Sequence, residues 1–442
     1  MTIDVVENHE GIRSIKTAVR WLLRSAGIKQ SLVLGAAMML AGGLDYAVNI
    51  LVGRWLQPVQ YGIFVSVTAL LQVFVLLSIA IRIVVGFYTA EADARDGPTD
   101  RVGSFVQTAC RWAWRWGLAA MALMAILSPP LAHLLRLPNS WPLWAASLMV
   151  LMLFVRETTY GALQGIQSFV RLGLVQVIQA LLRILFAATL IGLGFRAAGA
   201  VLAQPLSCIV GLLPAFWWLR PYFQHRGEIA ERRVSWEHSA HTFFGLAILG
   251  VLTNLDALFV KHFFSPQTAG YYGPVVTLAK ISLFLPWAIG IILVPKVTQR
   301  RAAGQDTRPI LLVSLTAAIV PGLCITTLYF LIPGTLVAAM FSGAYANPGI
   351  VLGLASLAAS LYAGLNIWLN YALAVERPAF IYAMLTVLMW QAVAMFLFGR
   401  ENLVVMTLAM VSAGLIGNVA GFLTTRPTAP AAETLHAEAT AS

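Results

Sequence analysis

Long apolar runs recur along this chain and constrain its fold more than any other feature. A helix of about twenty apolar residues crosses the hydrocarbon core of a bilayer. Such runs begin near residue 31 and continue to residue 423. Only 11% of the side chains are charged, whereas soluble proteins carry about 25%. We therefore predict an all-α, polytopic membrane protein and exclude a water-soluble enzyme.

The apolar runs divide into about twelve predicted transmembrane spans. Their approximate bounds are 31–52, 62–85, 112–134, 142–165, 172–194, 198–219, 243–263, 272–294, 310–332, 350–374, 380–397 and 403–423. Cytoplasmic loops of membrane proteins carry an excess of Lys and Arg. With the N-terminus inside, nineteen such residues fall in inner segments and five in outer ones, namely Arg54, Arg136, Arg196, Lys261 and Arg400. This bias predicts that both termini face the cytoplasm.

The most polar inner loop separates two sets of six spans. We predict an N-terminal six-helix lobe at 30–219, a cytoplasmic loop at 220–239 and a C-terminal six-helix lobe at 240–424. In residues 1–29, basic side chains recur at helical spacing, which is typical of a helix lying on an anionic membrane surface. The alternative is a basic segment that only orients the first span. The tail at 425–442 is predicted to be disordered.

A short internal repeat supports this division into two parallel lobes. A shift of 208 residues places Pro58 on Pro266 and Gly62 on Gly270, both in the outer turn after the first span of a lobe. Pro stops a helix and Gly adopts turn conformations, so this spacing has a structural reason. Two parallel lobes are an arrangement found in many secondary transporters.

The same turns resemble elements of a known family. Residues 53–64 (GRWLQPVQYGIF) resemble the element after the first span of polysaccharide-biosynthesis (Wzx-type) oligosaccharide flippases, although Gln60 stands where an acidic residue is common. Residues 264–272 (FSPQTAGYY) and 293–297 (LVPKV) resemble two elements of the second half of that family. The family belongs to the superfamily of multidrug, oligosaccharidyl-lipid and polysaccharide exporters, which also includes the lipid II flippase.

This resemblance implies a function and a location. Wzx-type flippases translocate an undecaprenyl-diphosphate-linked oligosaccharide across the bacterial inner membrane for O-antigen, capsule or exopolysaccharide synthesis, and the resemblance implies the same function and location for this chain. The implied partners are the lipid-linked oligosaccharide, the lipid bilayer, and a polysaccharide polymerase with its chain-length machinery.

Ionisable residues inside the predicted spans are the main candidates for function. There are five basic and three acidic ones, namely Arg82, Arg115, Arg156, Arg183, Lys280, Asp45, Glu157 and Asp256. Each costs at least about 2.5 kcal/mol in the bilayer, so such residues usually face a cavity. Their positive surplus favours an anionic ligand such as a diphosphate, which Arg binds in a bidentate manner.

We predict that three of these basic residues, with several uncharged side chains, bind substrate. The basic residues are Arg156, Arg183 and Lys280; Gln176 and Gln179 share a helical face with Arg183. The alternative for Arg183 is an ion pair with Glu157 or Asp256. Arg82 and Arg115 lie near inner span ends, where they either anchor the helix or line a vestibule.

Further polar residues lie at helical spacing in the tenth span. Tyr362, Asn366 and Asn370 are expected to face sugar hydroxyls, and the alternative is hydrogen bonding between helices. Asp45 and Asp256 are predicted to couple transport to protons or Na⁺, the alternative being a pair with a cation such as Lys280. Bends are expected at the prolines within spans.

Missing motifs narrow the remaining classes. The chain has no nucleotide-binding GxxxxGK[ST] motif, and its Cys and His residues show no metal-binding spacing, so we expect no cofactor or metal. The basic residues form no basic domain, so nucleic acid is not an expected partner. The predicted outer loops are too short for the active site of a membrane glycosyltransferase, so we expect no enzymatic activity. The alternative function is a multidrug/toxic-compound extruder of the same superfamily.

Overall fold

A computed structural model describes residues 26–96, 100–223, 236–284 and 287–425. The predicted surface segment 1–29, the loop 220–239 and the tail 425–442 fall largely outside these residues. Fifteen α-helices and no strand occur in the described ranges. They are α1 (Ala26–Trp55), α2 (Pro58–Asp96), α3 (Asp100–Leu134), α4 (Trp141–Gly165), α5 (Phe169–Gly192), α6 (Arg196–Phe223), α7 (Trp236–Leu252), α8 (Leu255–Phe263), α9 (Pro266–Phe284), α10 (Trp287–Ala302), α11 (Arg308–Leu331), α12 (Pro333–Met340), α13 (Ile350–Ala374), α14 (Ala379–Phe398) and α15 (Leu403–Thr424).

The helices confirm the predicted all-α polytopic class. Within the described ranges, ten helices are long and apolar enough to cross a membrane, and the bent pair α7–α8 raises the number to eleven. The predicted span 272–294 falls on α9 and α10. The short helix α12 lies in a segment that we expected to be an outer loop, and Pro333 occupies its first turn.

The sequence did not predict the break between α7 and α8. The two helices differ in direction by 42°, although neither Pro nor Gly separates them. Side chains at the break satisfy the backbone carbonyls at the end of α7: Thr253 Oγ1 donates to Leu249 O at 2.8 Å, and Asn254 Nδ2 donates to Gly250 O at 2.9 Å. The Asn254 bond replaces the one that Gly250 O would accept in a continuous helix, whereas Leu249 O also keeps its backbone bond from Thr253 N. In contrast, α6 and α11 run as single helices through their internal prolines.

The described helices fall into two compact units. Of the described residues, unit 1 comprises those within 26–52, 78–129 and 139–223, and unit 2 those within 53–77, 130–138 and 236–425. In unit 1, the buried helix α4 packs against α5 and α6. In unit 2, the buried helix α13 packs against α9, α10, α11 and α15.

Unit 2 contains residues 53–77 of the N-terminal half, and specific contacts explain this. The Tyr61 hydroxyl hydrogen-bonds to Thr277 Oγ1 at 2.7 Å, and Arg54 Nε donates to Phe341 O at 2.9 Å. The repeated glycines meet: a Cβ on Gly62 would lie 2.9 Å from Gly270 N. The two repeat elements therefore pack against each other within one unit. The predicted lobe bounds, 30–219 and 240–424, stay predictions.

Candidate functional site

The ionisable residues that we placed in the spans are divided unequally between the units. Unit 1 contains six of them, namely Arg82, Arg115, Arg156, Arg183, Asp45 and Glu157, whereas unit 2 contains Lys280 and Asp256. Among these eight residues, unit 1 has four cations and two anions, and unit 2 has one of each. The buried Lys261 of α8 adds a further cation to unit 2, so both units contain more basic than acidic residues of this kind.

Close helix packing in unit 1 brings Arg82 of α2 to Tyr160 of α4. Gly161 lies against α2, where a Cβ would be 2.8 Å from Arg82 O. Without side chains at Gly161 and Gly165, the two backbones approach closely, as the GxxxG spacing predicts. The Arg82 guanidinium consequently lies over the Tyr160 ring, 5.5 Å from its centroid.

A second guanidinium approaches the same ring. Arg156, one turn before Tyr160 on α4, lies 5.9 Å from the ring centroid. Arg82 Nε donates to Gln164 Oε1 at 3.1 Å, one turn after Tyr160. An electron-rich aromatic face stabilises nearby cations. The sequence already shows that Arg156, Tyr160 and Gln164 lie at positions i, i+4 and i+8 of one helix. Of these three residues, only Arg156 was predicted as a site residue.

Arg156 also forms a buried ion pair. Its Nη2 lies 2.7 Å from Glu157 Oε1, and its Nε donates to the same oxygen at 2.9 Å. The Glu157 side chain is 4% exposed and that of Arg156 19% exposed. Arg82, in contrast, makes no ion pair with any described residue. We call Arg82, Arg156, Glu157, Tyr160, Gln164 and Gln179 the unit 1 cluster; it has a net charge of one positive unit.

Gln179 of α5 completes this cluster. It lies against Gly211 of α6, where a Cβ would come within 2.3 Å of Gln179 Cγ. The Tyr160 hydroxyl donates to Gln179 Oε1 at 2.6 Å, while Gln179 Nε2 is buried without a partner in the described residues. Gln179 therefore holds the hydroxyl end of the Tyr160 ring that both guanidinium groups approach.

Arg183 pairs with a carboxylate that the sequence analysis had not considered as its partner. Its Nη1 lies 3.0 Å from Asp45 Oδ1 on α1, rather than near Glu157 or Asp256. The Arg183 side chain is 15% exposed and that of Asp45 51% exposed. Gln176 is half-buried on the same helix. The structure thus joins one predicted substrate residue to one predicted ion-coupling residue.

A separate polar cluster surrounds the α7–α8 break in unit 2. Lys280 Nζ donates to Asn254 Oδ1 at 2.6 Å, and the Tyr272 hydroxyl donates to Asp256 Oδ2 at 3.0 Å. Asp256 Oδ1 is buried and accepts no hydrogen bond from a described side chain. Lys280 and Asp256 thus belong to one polar cluster, but within the described residues no ion pair joins them, and the coupling role of Asp256 stays a prediction.

The predicted polar face of the tenth span lies on the central helix α13 of unit 2. The Tyr362 hydroxyl donates to Gln391 Oε1 at 2.7 Å, and Gln391 Nε2 donates to Leu252 O at the α7–α8 break. Asn370 Nδ2 donates to Asn366 O at 2.8 Å. The Tyr362 contacts correspond to the alternative of hydrogen bonding between helices, whereas Asn366 and Asn370 bond along one helix.

Lys261, predicted to lie in an outer segment, lies in the last turn of α8 and is 3% exposed. Asn254, Tyr272 and Gln391, which form hydrogen bonds around the break in unit 2, were not among the predicted site residues. These side chains are polar but uncharged and lie in or beside apolar runs. Hydropathy therefore does not distinguish them as site residues.

Comparison with solved structures identifies the fold. A multidrug resistance MATE family transporter of the MOP superfamily, in an inward-facing conformation, matches with a TM-score of 0.68 and 12% identity, over 89% of this chain and 97% of that one. The lipid II flippase MurJ, in an inward closed conformation, matches with a TM-score of 0.64 and 13% identity, over 90% of this chain and 88% of that one.

A eukaryotic MATE transporter also matches, with a TM-score of 0.63 and 13% identity, over 92% of this chain and 97% of that one. No protein-family model and no curated protein matches the sequence. The chain is thus a polytopic membrane protein with the fold of MOP-superfamily transporters. At these identities the likeness defines the fold, and the choice of substrate has to be argued from the site.

Proposed function

We propose that this chain is a flippase that moves an undecaprenyl-diphosphate-linked oligosaccharide across the bacterial inner membrane. Alternating access would expose the substrate site first to the inner and then to the outer leaflet, with the lipid tail remaining in the bilayer. Coupling to an ion gradient would involve Asp45 and Asp256. A polysaccharide polymerase with its chain-length machinery would use the product.

The observation that carries this proposal is the unit 1 cluster. Arg82 and Arg156 both lie over the Tyr160 ring, and among the described residues a single carboxylate, Glu157, pairs with them, through Arg156. Arg82 is partly exposed and bonds only to an amide among its described side-chain neighbours. A diphosphate offers the oxygens that a guanidinium binds with charge-assisted hydrogen bonds.

A second candidate function is the extrusion of cationic drugs. The similarity to a multidrug resistance MATE family transporter favours it. A cationic ligand, however, is better matched by an acidic lining than by the unit 1 cluster, which has a net positive charge. In unit 2, the carboxylate that we predicted within a span is Asp256, and the positive charge of Lys280 lies near it. The charges of the described residues thus favour the anionic substrate.

Variants of Arg82 test the proposed function. Arg82→Gln should lower the flipping of a fluorescent polyprenyl-diphosphate sugar in proteoliposomes by about 10-fold or more, since a hydrogen bond to a charged group contributes about 1.5–3 kcal/mol. Arg82→Lys should retain part of the activity because the point charge remains. Arg308→Gln, which removes an exposed arginine away from the cluster, is the matched control.

Two results would contradict the proposal. If Arg82→Gln flips the probe at the wild-type rate, Arg82 is not part of the substrate site. Rapid transport of ethidium by the wild-type protein, with no flipping of the diphosphate probe, would favour the drug extruder. The amount of protein in the vesicles is measured in each case, so that a folding defect is not read as a loss of transport.

The predicted orientation is tested with reporter fusions. Alkaline phosphatase, which is active only outside the cytoplasm, should be active when fused after Pro138 or Ala344 and inactive after Gly304. The reason is the distribution of Lys and Arg between alternate segments. Activity at Gly304 with inactivity at both other sites would invert the topology and contradict a cytoplasmic N-terminus.

A further inference from the structure

The helix α3 is much longer than a bilayer requires, and its excess carries arginine and tryptophan. Its 35 residues extend about 52 Å, whereas the hydrocarbon core is about 30 Å thick. Residues 116–134 contain no Lys, Arg, Asp or Glu and are long enough to cross that core. Residues 100–115 are consequently left for the headgroup layer and the water beyond it.

A cavity lies at this arginine-bearing part of α3. Its volume is about 590 Å³, and α3 and the last residue of α6 line it through Gln107, Cys110, Arg111, Trp114, Arg115 and Phe223. Gln107 Nε2 donates to Phe223 O and so joins the two helices at the cavity wall. The cavity is contained within unit 1.

Two arginines one helical turn apart give this cavity its charge. Arg111 and Arg115 are both exposed, and neither makes an ion pair with a residue that the structure describes. Guanidinium groups at this spacing contact a single phosphate from two sides. None of the residues that line the cavity is acidic, whereas Arg156 and Arg183 each pair with a carboxylate.

Tryptophans place the cavity at the membrane interface. Trp112, Trp114 and Trp116 are 54%, 43% and 59% exposed, and the rings of Trp112 and Trp116 stack 6.2 Å apart. Exposed indole rings are typical of the headgroup level of a bilayer. The phosphates available at that level in high local concentration are those of the surrounding phospholipids.

We propose that the cavity lined by Arg111, Arg115 and Trp114 binds the headgroup of an anionic phospholipid of the phosphatidylglycerol or cardiolipin type. This site is separate from the unit 1 cluster, and it does not depend on which substrate the protein carries. The sequence left two roles open for Arg115, anchoring its helix or lining a vestibule. The proposed site gives Arg115 a role in lipid binding.

Native mass spectrometry of the purified full chain, titrated with phosphatidylglycerol and with phosphatidylcholine, tests this site. The wild type should bind phosphatidylglycerol more tightly. Each single change, Arg111→Gln or Arg115→Gln, should weaken that binding about 5-fold and the double change about 30-fold, the contribution expected of basic residues at an anionic surface. The double control Arg301→Gln with Arg308→Gln removes two exposed arginines elsewhere and should leave binding unchanged.

Three results would overturn the proposal: equal binding of both lipids by the wild type, wild-type affinity in the double variant, or displacement of the lipid by equimolar inorganic pyrophosphate. The last would indicate a site for a soluble anion. If the Gln variants fold poorly, Arg111→Lys with Arg115→Lys keeps both charges and should retain the preference for phosphatidylglycerol. Loss of that preference in folded Lys protein would also count against the proposal.

Discussion

Glu157→Ala is expected to deplete the folded protein, because it leaves Arg156 buried without its carboxylate. Both Arg156 Nη2 and Nε contact Glu157 Oε1, at 2.7 Å and 2.9 Å. Breaking a buried ion pair by removing one partner costs about 3–5 kcal/mol. This is a large part of the total stability of a typical protein, about 5–15 kcal/mol. Membrane abundance of a fluorescent fusion and the melting temperature in detergent measure the effect.

The double variant Arg156→Met with Glu157→Met separates structure from function. Replacing both members of a buried pair by apolar residues is often neutral for stability, so abundance should return. Flipping of the diphosphate probe should stay low, since a guanidinium over Tyr160 is still missing. Wild-type abundance and melting temperature in Glu157→Ala would show that this pair does not stabilise the fold.

Gly270→Ala is expected to destabilise unit 2 strongly. A Cβ at this position would lie 2.3 Å from Pro58 O and 2.4 Å from Pro58 C, which are backbone atoms that cannot rotate away. Overpacking costs about 1–3 kcal/mol and more where neighbours cannot move. The melting temperature of the purified protein should fall accordingly.

The matched control for this substitution is Gly43→Ala in α1. A Cβ there meets nothing within 4 Å, and alanine is favoured over glycine within a helix by about 1 kcal/mol. This variant should melt at or above the wild-type temperature. If the two variants melt alike, the turns bearing Pro58 and Gly270 do not pack as closely as the structure places them.

The internal repeat shows what a sequence pattern predicts about a fold and what it does not. The matched residues Pro58 and Gly62, and Pro266 and Gly270, marked two equivalent helix starts: each proline begins a helix, and each glycine lies within that helix rather than in the turn that we predicted. The pattern gave no reason to expect that these helix starts touch, because contact between distant segments depends on how whole helices pack. The structure shows the contact and adds Tyr61, whose hydroxyl bonds to Thr277, 216 residues further along the chain.

The charged residues show the same limit. The composition of the predicted spans indicated a positive surplus, and helical spacing grouped Gln179 with Arg183. Yet Gln179 bonds to Tyr160, while Arg183 pairs with Asp45, 138 residues away. Several carboxylates were available in the sequence, and only the positions of α1 and α5 decide which one Arg183 meets.

The sequence predicted about twelve spans, and the described residues contain ten helices that can cross a membrane, or eleven with the bent pair α7–α8. By itself the sequence determined the all-helical, polytopic class. It could do so because the cost of placing polar groups in lipid acts on each segment separately. The tertiary structure decided where α7 ends and α8 begins, since polar side chains from α14 as well as from the break satisfy the freed carbonyls. It also decided that two arginines share the Tyr160 ring, because only the close packing of α2 on Gly161 brings Arg82 there.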